Sequence, residues 1–449
     1  TQAEAKNFEL ETAKARIEHN ALHDPLTGLP NRRYLDDVLD MHTNRARRVG
    51  IRTSILHIDL DRFKQINDTL GHAAGDAMLV HASEILKRSV RQSDFVARIG
   101  GDEFVIFCVG GKSDAELRQL SERIIEAMRR PVSYQGHECR FGVSIGIASA
   151  NSDEVVPRQL LVNADIALYR AKRRGRNRSE FFSEQLQAEI ISAKRMADDI
   201  LAGLDNDEFI AHFQPQFDAR SLDVIGVEAL ARWQHRTSGM VLPEAFMAIA
   251  EDLNVVASLD KLILEQSLSI LERWQKAGVV VPKISVNVSA RRLSDEALID
   301  TLTALDIKPG TVSFELVESI YLDESDTMVT WNIDRIKDLG IDIEIDDFGT
   351  GYASIVSLLH LRPKRLKIDR KLVEPITRSR EQRNLVRSII EIGSSLGISA
   401  IAEGVETMEH AKILADLGCD GLQGYAFARP MGEQEVVTFL KSQRWREVG

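Results

Sequence analysis

Cysteine is scarce, with three in 449 residues, Cys108, Cys139 and Cys419, and no Cys-x-x-Cys pair. So odd and scattered a count argues against a disulfide framework or a cysteine zinc site, and fits a reducing cytoplasm. No uncharged apolar run reaches the roughly 18 residues of a membrane-spanning helix. The N-terminus also lacks the short apolar core of a secretion signal. Basic charge is in deficit, 57 Lys plus Arg against 68 Asp plus Glu, for a formal net charge of −11. A general nucleic-acid coat is thereby disfavoured, because phosphate binding needs a basic surface. A local basic patch can still hold a small phosphorylated ligand. What the chain does have is 44% hydrophobic and 28% charged residues, the balance of an ordinary globular protein. That supports sizeable cores and, at this length, two or three domains.

Residues 1–22 are rich in Ala, Glu and Lys, with Phe8, Ala15 and Leu22 at seven-residue spacing. They read as a helix entering the first domain, too short to claim a coiled coil. The chain opens in mid-helix without an initiator Met, so it is expected to be part of a longer protein whose upstream sensory domain is missing. From residue 23 strands and helices alternate. Residues 55–59 form a strand pattern, residues 77–88 a helix pattern, and 95–99 with 104–109 a β-hairpin around Gly100-Gly101. Residues 185–204 read as a linker helix. Beyond it, short apolar strands end near Gln214, Glu228, Asn287, Glu315, Asp346, Lys367, Glu403 and Gln423. Eight strands closing on polar residues match the C-terminal face of a (β/α)₈ barrel. The expected boundaries are a signalling helix at 1–22, a first domain at 23–180, a linker at 181–205 and a second domain at 206–449.

Asp59 and Asp61 flank Leu60 at a strand end, so alternation sends both carboxylates to one face. The hairpin tip adds Asp102 and Glu103. If the hairpin lies beside that strand, Asp59 and Asp102 can share divalent cations, and hard oxygen ligands suit Mg²⁺ with substrate phosphates. Lys64, His72, Lys172 and Arg176 supply positive charge for a polyphosphate. Each short pattern alone reads as turn chemistry. Together with His23-Asp24-Pro25-Leu26-Thr27-Gly28, Asp59-Leu60-Asp61-Arg62-Phe63-Lys64, Gly71-His72-Ala73-Ala74-Gly75-Asp76 and Ala164-Asp165-Ile166-Ala167-Leu168-Tyr169, they resemble the GGDEF diguanylate cyclase family over residues 23–178. The resemblance implies an α/β, palm-like fold of the nucleotidyl-cyclase kind, with two such domains joining two GTP into cyclic di-GMP. By it, Asp59, the Leu60 carbonyl and Asp102 match metal ligands, and Glu103 matches a catalytic acid. Asn67 and Asp76 match guanine readers, Lys172 and Arg176 phosphate contacts, and Arg91 and Asp94 a product-inhibition site. Arg173 and Arg174 read as solvated.

In the second half, Glu228, Asn287, Glu315, Asp346 and the adjacent Asp347 can hold two metals about 3.5–4 Å apart. Lys367 can orient a water, and Glu403 and Glu406 add a ligand and a base. One acid at a strand end is usually a cap; a register of them is not. Glu228-Ala229-Leu230-Ala231-Arg232-Trp233, Asp346-Asp347-Phe348-Gly349 and Gln423-Gly424-Tyr425 carry a resemblance to the EAL phosphodiesterase family over about residues 205–447. It implies a TIM-like barrel that hydrolyses cyclic di-GMP to pGpG with two Mg²⁺ or Mn²⁺ ions. Lys367 and Glu403 then match the water-activating residues, Glu406 and Gln423 their supporting shell, and Gln214, Leu230 and Arg232 substrate contacts. Glu318 matches the acid that steadies the loop at 346–352. Ala231 and Val317 depart from the commoner Leu and Thr, and Trp233 and Phe348 read as packing. The expectation is a cytoplasmic homodimer that makes and hydrolyses cyclic di-GMP. The alternatives are a phosphodiesterase with a GTP-binding regulatory domain, or a non-catalytic receptor.

Overall fold

The structure, a computed structural model, describes residues 19–49, 52–151, 156–318, 327–349 and 355–447. Most of the expected N-terminal helix and the last part of the 346–352 loop fall outside these residues. The chain divides into two compact units, Thr1–Ala193 and Lys194–Gly449. Each is described by itself.

The first unit is built on strands β1 Thr53–Asp61, β2 Phe95–Gly100, β3 Glu103–Val109, β6 Gly142–Ala150 and β7 Ser179–Phe181, with a small ribbon of β4 Val132–Tyr134 and β5 His137–Cys139. The main sheet has the order β2-β3-β1-β6-β7. Central β1 is antiparallel to β3 and β6, and all nine of its residues are buried. Alternation along β1 decides what each face does. Leu56, Ile58 and Leu60 join Met78, Leu86, Leu117 and Ile124 from helices His72–Ser89 and Asp114–Met128. Ile55 joins Val105, Phe107, Leu35 and Leu160 on the other face. That second face also carries His57, Asp59 and Asp61, so polar groups share a side with a helix-covered core. Burying each such aliphatic side chain stabilises the unit by about 1.5–3 kcal/mol.

Helix Pro157–Arg173 reaches that face because β6 has a glycine under it: a Cβ on Gly146 would lie 1.9 Å from the Ala164 carbonyl oxygen. The hairpin expected at 95–109 is present, with Gly101 left-handed at φ 49°. A Cβ on Gly100 or Gly101 would meet open space, so the tip is an uncovered surface.

The second unit contains β8 Phe209–Asp218, β9 Val224–His235, β10 Gly239–Val241, β11 Ile284–Asn287, β12 Val312–Val317, β13 Asp342–Phe348, β14 Arg365–Ile368, β15 Ser399–Ala402 and β16 Gly421–Leu422. The order β10-β9-β11-β12-β13-β14-β15-β16-β8, with β8 also paired to β9, closes an eight-stranded barrel with β10 as an outer ribbon. β9 and β11 to β16 run parallel, as expected. β8 does not; it is antiparallel to both β9 and β16. The reason is local. Only residues 219–223 separate β8 from β9, and Asp218 accepts from the backbone N–H of Arg220 and Ser221 to close the turn. A parallel crossover needs a dozen residues or more. Gln214 and Glu228 consequently lie mid-strand, opposite each other in register, rather than at strand ends. Trp233 is fully buried and stacked on Phe209, which makes it packing.

Candidate active sites

At the end of β1, Asp59 pairs in register with Glu103 of β3, and Leu60 N donates to the Asp102 carbonyl. Lys172, from the helix seated on Gly146, places Nζ 2.7 Å from Asp59 Oδ2. Burial lifts the Asp59 carboxyl above its usual range against the pull of Lys172, with the neighbouring Asp102 and Glu103 charges adding to the rise. Buried His57, two residues earlier on the same face, lies 3.3 Å from Asp165 Oδ1 and 3.7 Å from Glu103 Oε2. Burial alone would depress the imidazole, but these two acids outweigh it and its pKa is raised. The imidazole of His57 beside them holds Glu103 and Asp165 below the ordinary carboxylate range. Asp61 is committed elsewhere: Oδ1 accepts from Ser144 Oγ at 2.7 Å and Oδ2 from Asn177 N at 2.9 Å.

Half-buried Asn67 lies against Gly75, whose added Cβ would come 2.0 Å from the Asn67 Oδ1, and the following residue, Asp76, is exposed. Lys64, His72 and Arg176 are exposed. Asp94, matched to the product-inhibition site, faces inward. Its carboxylate is fully buried and takes Lys112 Nζ at 2.6 and 2.7 Å, while the Arg91 side chain reaches Glu116 at 3.4 Å. Long-range packing against Lys112 wins over solvent, because a buried carboxylate needs a cation.

In the barrel, fully buried Lys367 is the hub. Its Nζ lies 2.6 Å from Glu403 Oε1, 2.7 Å from Glu315 Oε2, 3.1 Å from Glu228 Oε2 and 3.2 Å from Asp346 Oδ1. Asn287 Nδ2 donates to Glu228 Oε1 at 3.1 Å, and Gln423 Nε2 to Glu228 Oε2 at 2.5 Å and Gln214 Oε1 at 3.2 Å. Asp346, Asp347 and Glu403 each offer an oxygen within 4.8 Å of the others. Among the described residues no other three-acid group comes so close, so Asp59, Asp102 and Glu103 do not converge to that degree. Burial pushes Glu403 up to about 8 and Asp347 up to about 7, the latter helped by Asp369. Glu315 rises well above its usual value through burial and the Glu228 charge. Glu228 falls despite burial, because Lys367 and Gln423 stabilise its anion. Four carboxylates around one ammonium leave excess negative charge, and Glu315 Oε1 is buried with no hydrogen-bond partner among the described residues. Both features fit divalent cations. Glu318 Oε2 accepts from Gly349 N at 3.1 Å, tying down the start of the loop after β13.

The EAL domain model matches residues 197–430, and the diguanylate cyclase GGDEF domain model matches residues 21–178. The chain belongs to the GGDEF–EAL family. The bifunctional diguanylate cyclase/cyclic di-GMP phosphodiesterase MucR of Pseudomonas aeruginosa is 34% identical over 445 residues, 97% of this chain and 65% of that protein. The cyclic di-GMP phosphodiesterase NbdA of the same organism is 32% identical over 441 residues, 97% of this chain and 56% of that one. A solved structure titled PaMucR phosphodiesterase, c-di-GMP complex, is 30% identical, covers 54% of this chain and 99% of its own, and has a TM-score of 0.51. The chain thus spans about half to two-thirds of the length of these curated relatives. Among the described residues no helix is long and apolar enough to cross a membrane.

A cavity of about 230 Å³ opens beside the acids of the EAL domain, lined by Gln214, Leu230, Glu406 and Gln423 together with Arg370 and Tyr425. Arg232 lies half-buried with Nη1 on the Ala231 carbonyl, at 2.8 Å. Sequence reading gave no role to Arg370, which pairs with Glu406 at 2.5 Å, or to Tyr425, whose ring carries the Arg429 guanidinium 4.3 Å from its centroid. Their signal was adjacency to Lys367-Ile368-Asp369 and Gln423-Gly424. In the GGDEF domain it passed over His57 and the brace at the hairpin tip. There Arg98 donates to both Asp24 oxygens at 3.0 Å and to the Gly101 carbonyl at 2.7 and 3.0 Å.

Proposed function

We propose that the chain turns over cyclic di-GMP, hydrolysing it to pGpG in the EAL domain and forming it from two GTP in the GGDEF domain. The observation that carries the hydrolytic half is the Lys367 hub, with its surplus of carboxylates and the buried Glu315 oxygen that has no hydrogen-bond partner among the described residues. Glu228, Asn287, Glu315, Asp346 and Asp347 would hold two divalent cations, Mg²⁺ or Mn²⁺, which supply Lewis acidity and an acidified water. Lys367 orients the attacking water and offsets charge on the phosphorane oxygens. Glu403, whose proton affinity is raised, takes a proton from that water. Gln214, Leu230 and Arg232 contact the dinucleotide, with Glu406 and Gln423 supporting the acids, and the guanidinium fork of Arg232 suits a phosphate. Glu318 steadies the start of the loop that follows Asp346 and Asp347.

In the GGDEF domain Asp59, the Leu60 carbonyl and Asp102 would hold cations, with Glu103 beside the attacking 3′-oxygen. Asn67 and Asp76 read guanine, and Lys64, His72, Lys172 and Arg176 meet the triphosphate. Arg91 and Asp94 form the product-inhibition site once Asp94 is released from Lys112. Cyclisation needs two facing sites, so a homodimer is proposed, downstream of a sensory region and in the cytoplasm. A second reading, in which the first domain only binds GTP to regulate hydrolysis, is favoured by one feature: its acids are spread, with Lys172 on Asp59. Separate incubations with GTP and with cyclic di-GMP, resolved by chromatography, test both. Under the bifunctional reading, Glu103→Ala abolishes synthesis alone and Glu228→Ala abolishes hydrolysis alone. GTP left unchanged at all dimer concentrations would leave the regulatory reading.

A further inference from the structure

Three buried glutamine amides meet in the EAL barrel, and only two of them belong to the site already described. Gln214 and Gln216 are two residues apart on β8, so both side chains leave the same face of the strand. Gln423 directly follows β16, the strand paired to β8 on the side away from β9. Its amide is committed at both ends. Nε2 donates to Glu228 Oε2 and Gln214 Oε1, while Oε1 accepts from Gln216 Nε2 at 3.0 Å. Gln214 Nε2 in turn donates to the Ala428 carbonyl at 3.0 Å.

A side-chain amide can turn about its last bond and exchange oxygen for nitrogen, so something must select this orientation. Glu228, an anion 3.1 Å from Lys367 Nζ, only accepts, and so does the Ala428 carbonyl. Both call for a nitrogen. Turning Gln423 over would set its oxygen against the Glu228 carboxylate and its nitrogen against the Gln216 nitrogen. Gln216 therefore closes the chain of amides from the far end, by supplying a donor to Gln423 Oε1.

That placement is unfavourable for Gln216 itself. It is fully buried, and its Oε1 has no hydrogen-bond partner among the described residues. An unmet buried acceptor destabilises a fold in which an apolar side chain could stand instead. The room for it is made on the neighbouring strand. The residue opposite Gln216 on β9 is Gly226, where a Cβ would come 3.2 Å from Gln216 Oε1.

We propose that Gln216 is a positioning residue for the cations of the EAL domain, fixing the Gln423 amide and through it the Glu228 carboxylate in the orientation that receives a divalent ion. The assignment rests on the hydrolytic reading given above and extends it to a residue that acts through Gln423 rather than on the acids. Removing a group that orients a metal ligand typically weakens metal binding about ten- to a hundredfold.

The test is calorimetric titration of the full chain with Mg²⁺, the heat lost in Glu228→Ala marking the ions that the EAL domain holds. Gln216→Met keeps the unbranched shape without the amide, and should weaken those ions about tenfold. The Mg²⁺ concentration for half-maximal hydrolysis of cyclic di-GMP should rise by the same factor, with kcat at saturating Mg²⁺ and KM within about twofold of the parent. Gln216→Asn, whose amide stops one carbon short, should weaken Mg²⁺ as well, and thermal melts verify which variants are folded. In a Gln423→Met background Gln216→Met should change Mg²⁺ affinity no further, because the two residues act in series. Parent-like Mg²⁺ affinity in a folded Gln216 variant, or losses that simply add to those of Gln423→Met, overturns the proposal. Gln216-dependent Mg²⁺ binding in a chain that leaves cyclic di-GMP intact would sustain the role of Gln216 and remove the hydrolytic reading instead.

Discussion

Lys367 Nζ lies 2.7 Å from Glu315 Oε2, while the second oxygen of the same carboxylate is buried with no hydrogen-bond partner among the described residues. One ammonium thus serves Glu228, Glu315, Asp346 and Glu403 at once. Its own pKa is driven well above normal, because the surrounding acids outweigh a burial that alone would lower it. Without metal the barrel mouth is a lysine-held cage of acids, short of positive charge.

Removing that ammonium should be costly. In Lys367→Met the four acids lose their shared cation, and breaking a buried pair costs about 3–5 kcal/mol. Urea unfolding of the metal-free variant should show a loss of that order in the EAL domain, partly restored by millimolar Mg²⁺. Hydrolysis of cyclic di-GMP should fall with it. Unchanged metal-free stability would mean that the acids are protonated and do not depend on Lys367.

The same cage sets a pH dependence. Glu403 titrates near 8 in the fold, against about 4.3 in an unfolded chain. A raised carboxyl pKa contributes stability below the unfolded value that is lost as pH rises through the folded one. Asp347, near 7, acts in the same direction. The metal-free protein should therefore melt lower at pH 9 than at pH 6, and Glu403→Gln should flatten that slope by keeping the site neutral. Added Mg²⁺ should oppose the loss at high pH, since cations compete with these protons. A Glu403→Gln slope as steep as the parent's would remove Glu403 as its source.

Much of this arrangement could be read from the sequence, because strand alternation and strand ends are local. Asp59 with Asp61, the hairpin at Gly100-Gly101, and Glu315, Asp346 and Lys367 all follow from short-range pattern. Strand direction does not. An apolar run looks the same in either sense, and the turn at 219–223 was not read as the feature that reverses β8. Partners far apart in sequence were equally hidden: Lys112 on Asp94, Asp24 on Arg98, His57 between Glu103 and Asp165. Each is a contact across the fold that no single window of residues contains.

Arg98 offers a test of one such contact. It braces the hairpin tip through Asp24, and Asp24 stays below the usual carboxylate range because the Thr27 and Arg98 hydrogen bonds outweigh its burial. Arg98→Ala should cost about 2 kcal/mol, the scale of losing charge-assisted hydrogen bonds. Synthesis of cyclic di-GMP should fall more than tenfold through misplacement of Asp102 and Glu103, with hydrolysis retained. Parent-like GTP turnover would show that the tip holds its shape without the brace.

Gly146→Ala asks whether helix seating positions Lys172. The added methyl would lie 1.9 Å from the Ala164 carbonyl oxygen and 2.2 Å from Leu168 N, both backbone atoms that no rotamer change can move. Helix Pro157–Arg173 must then lift from β6, at a cost of about 1–3 kcal/mol or more for overpacking. Lifting it draws Lys172 from Asp59 and Asp165 from His57 together, so GTP turnover should fall before the GGDEF domain unfolds. A thermal melt followed alongside both activities separates the outcomes. Lower melting of the first unit with reduced synthesis and intact hydrolysis is expected, whereas a variant with parent-like melting and synthesis would mean that the close approach at Gly146 does not set the site.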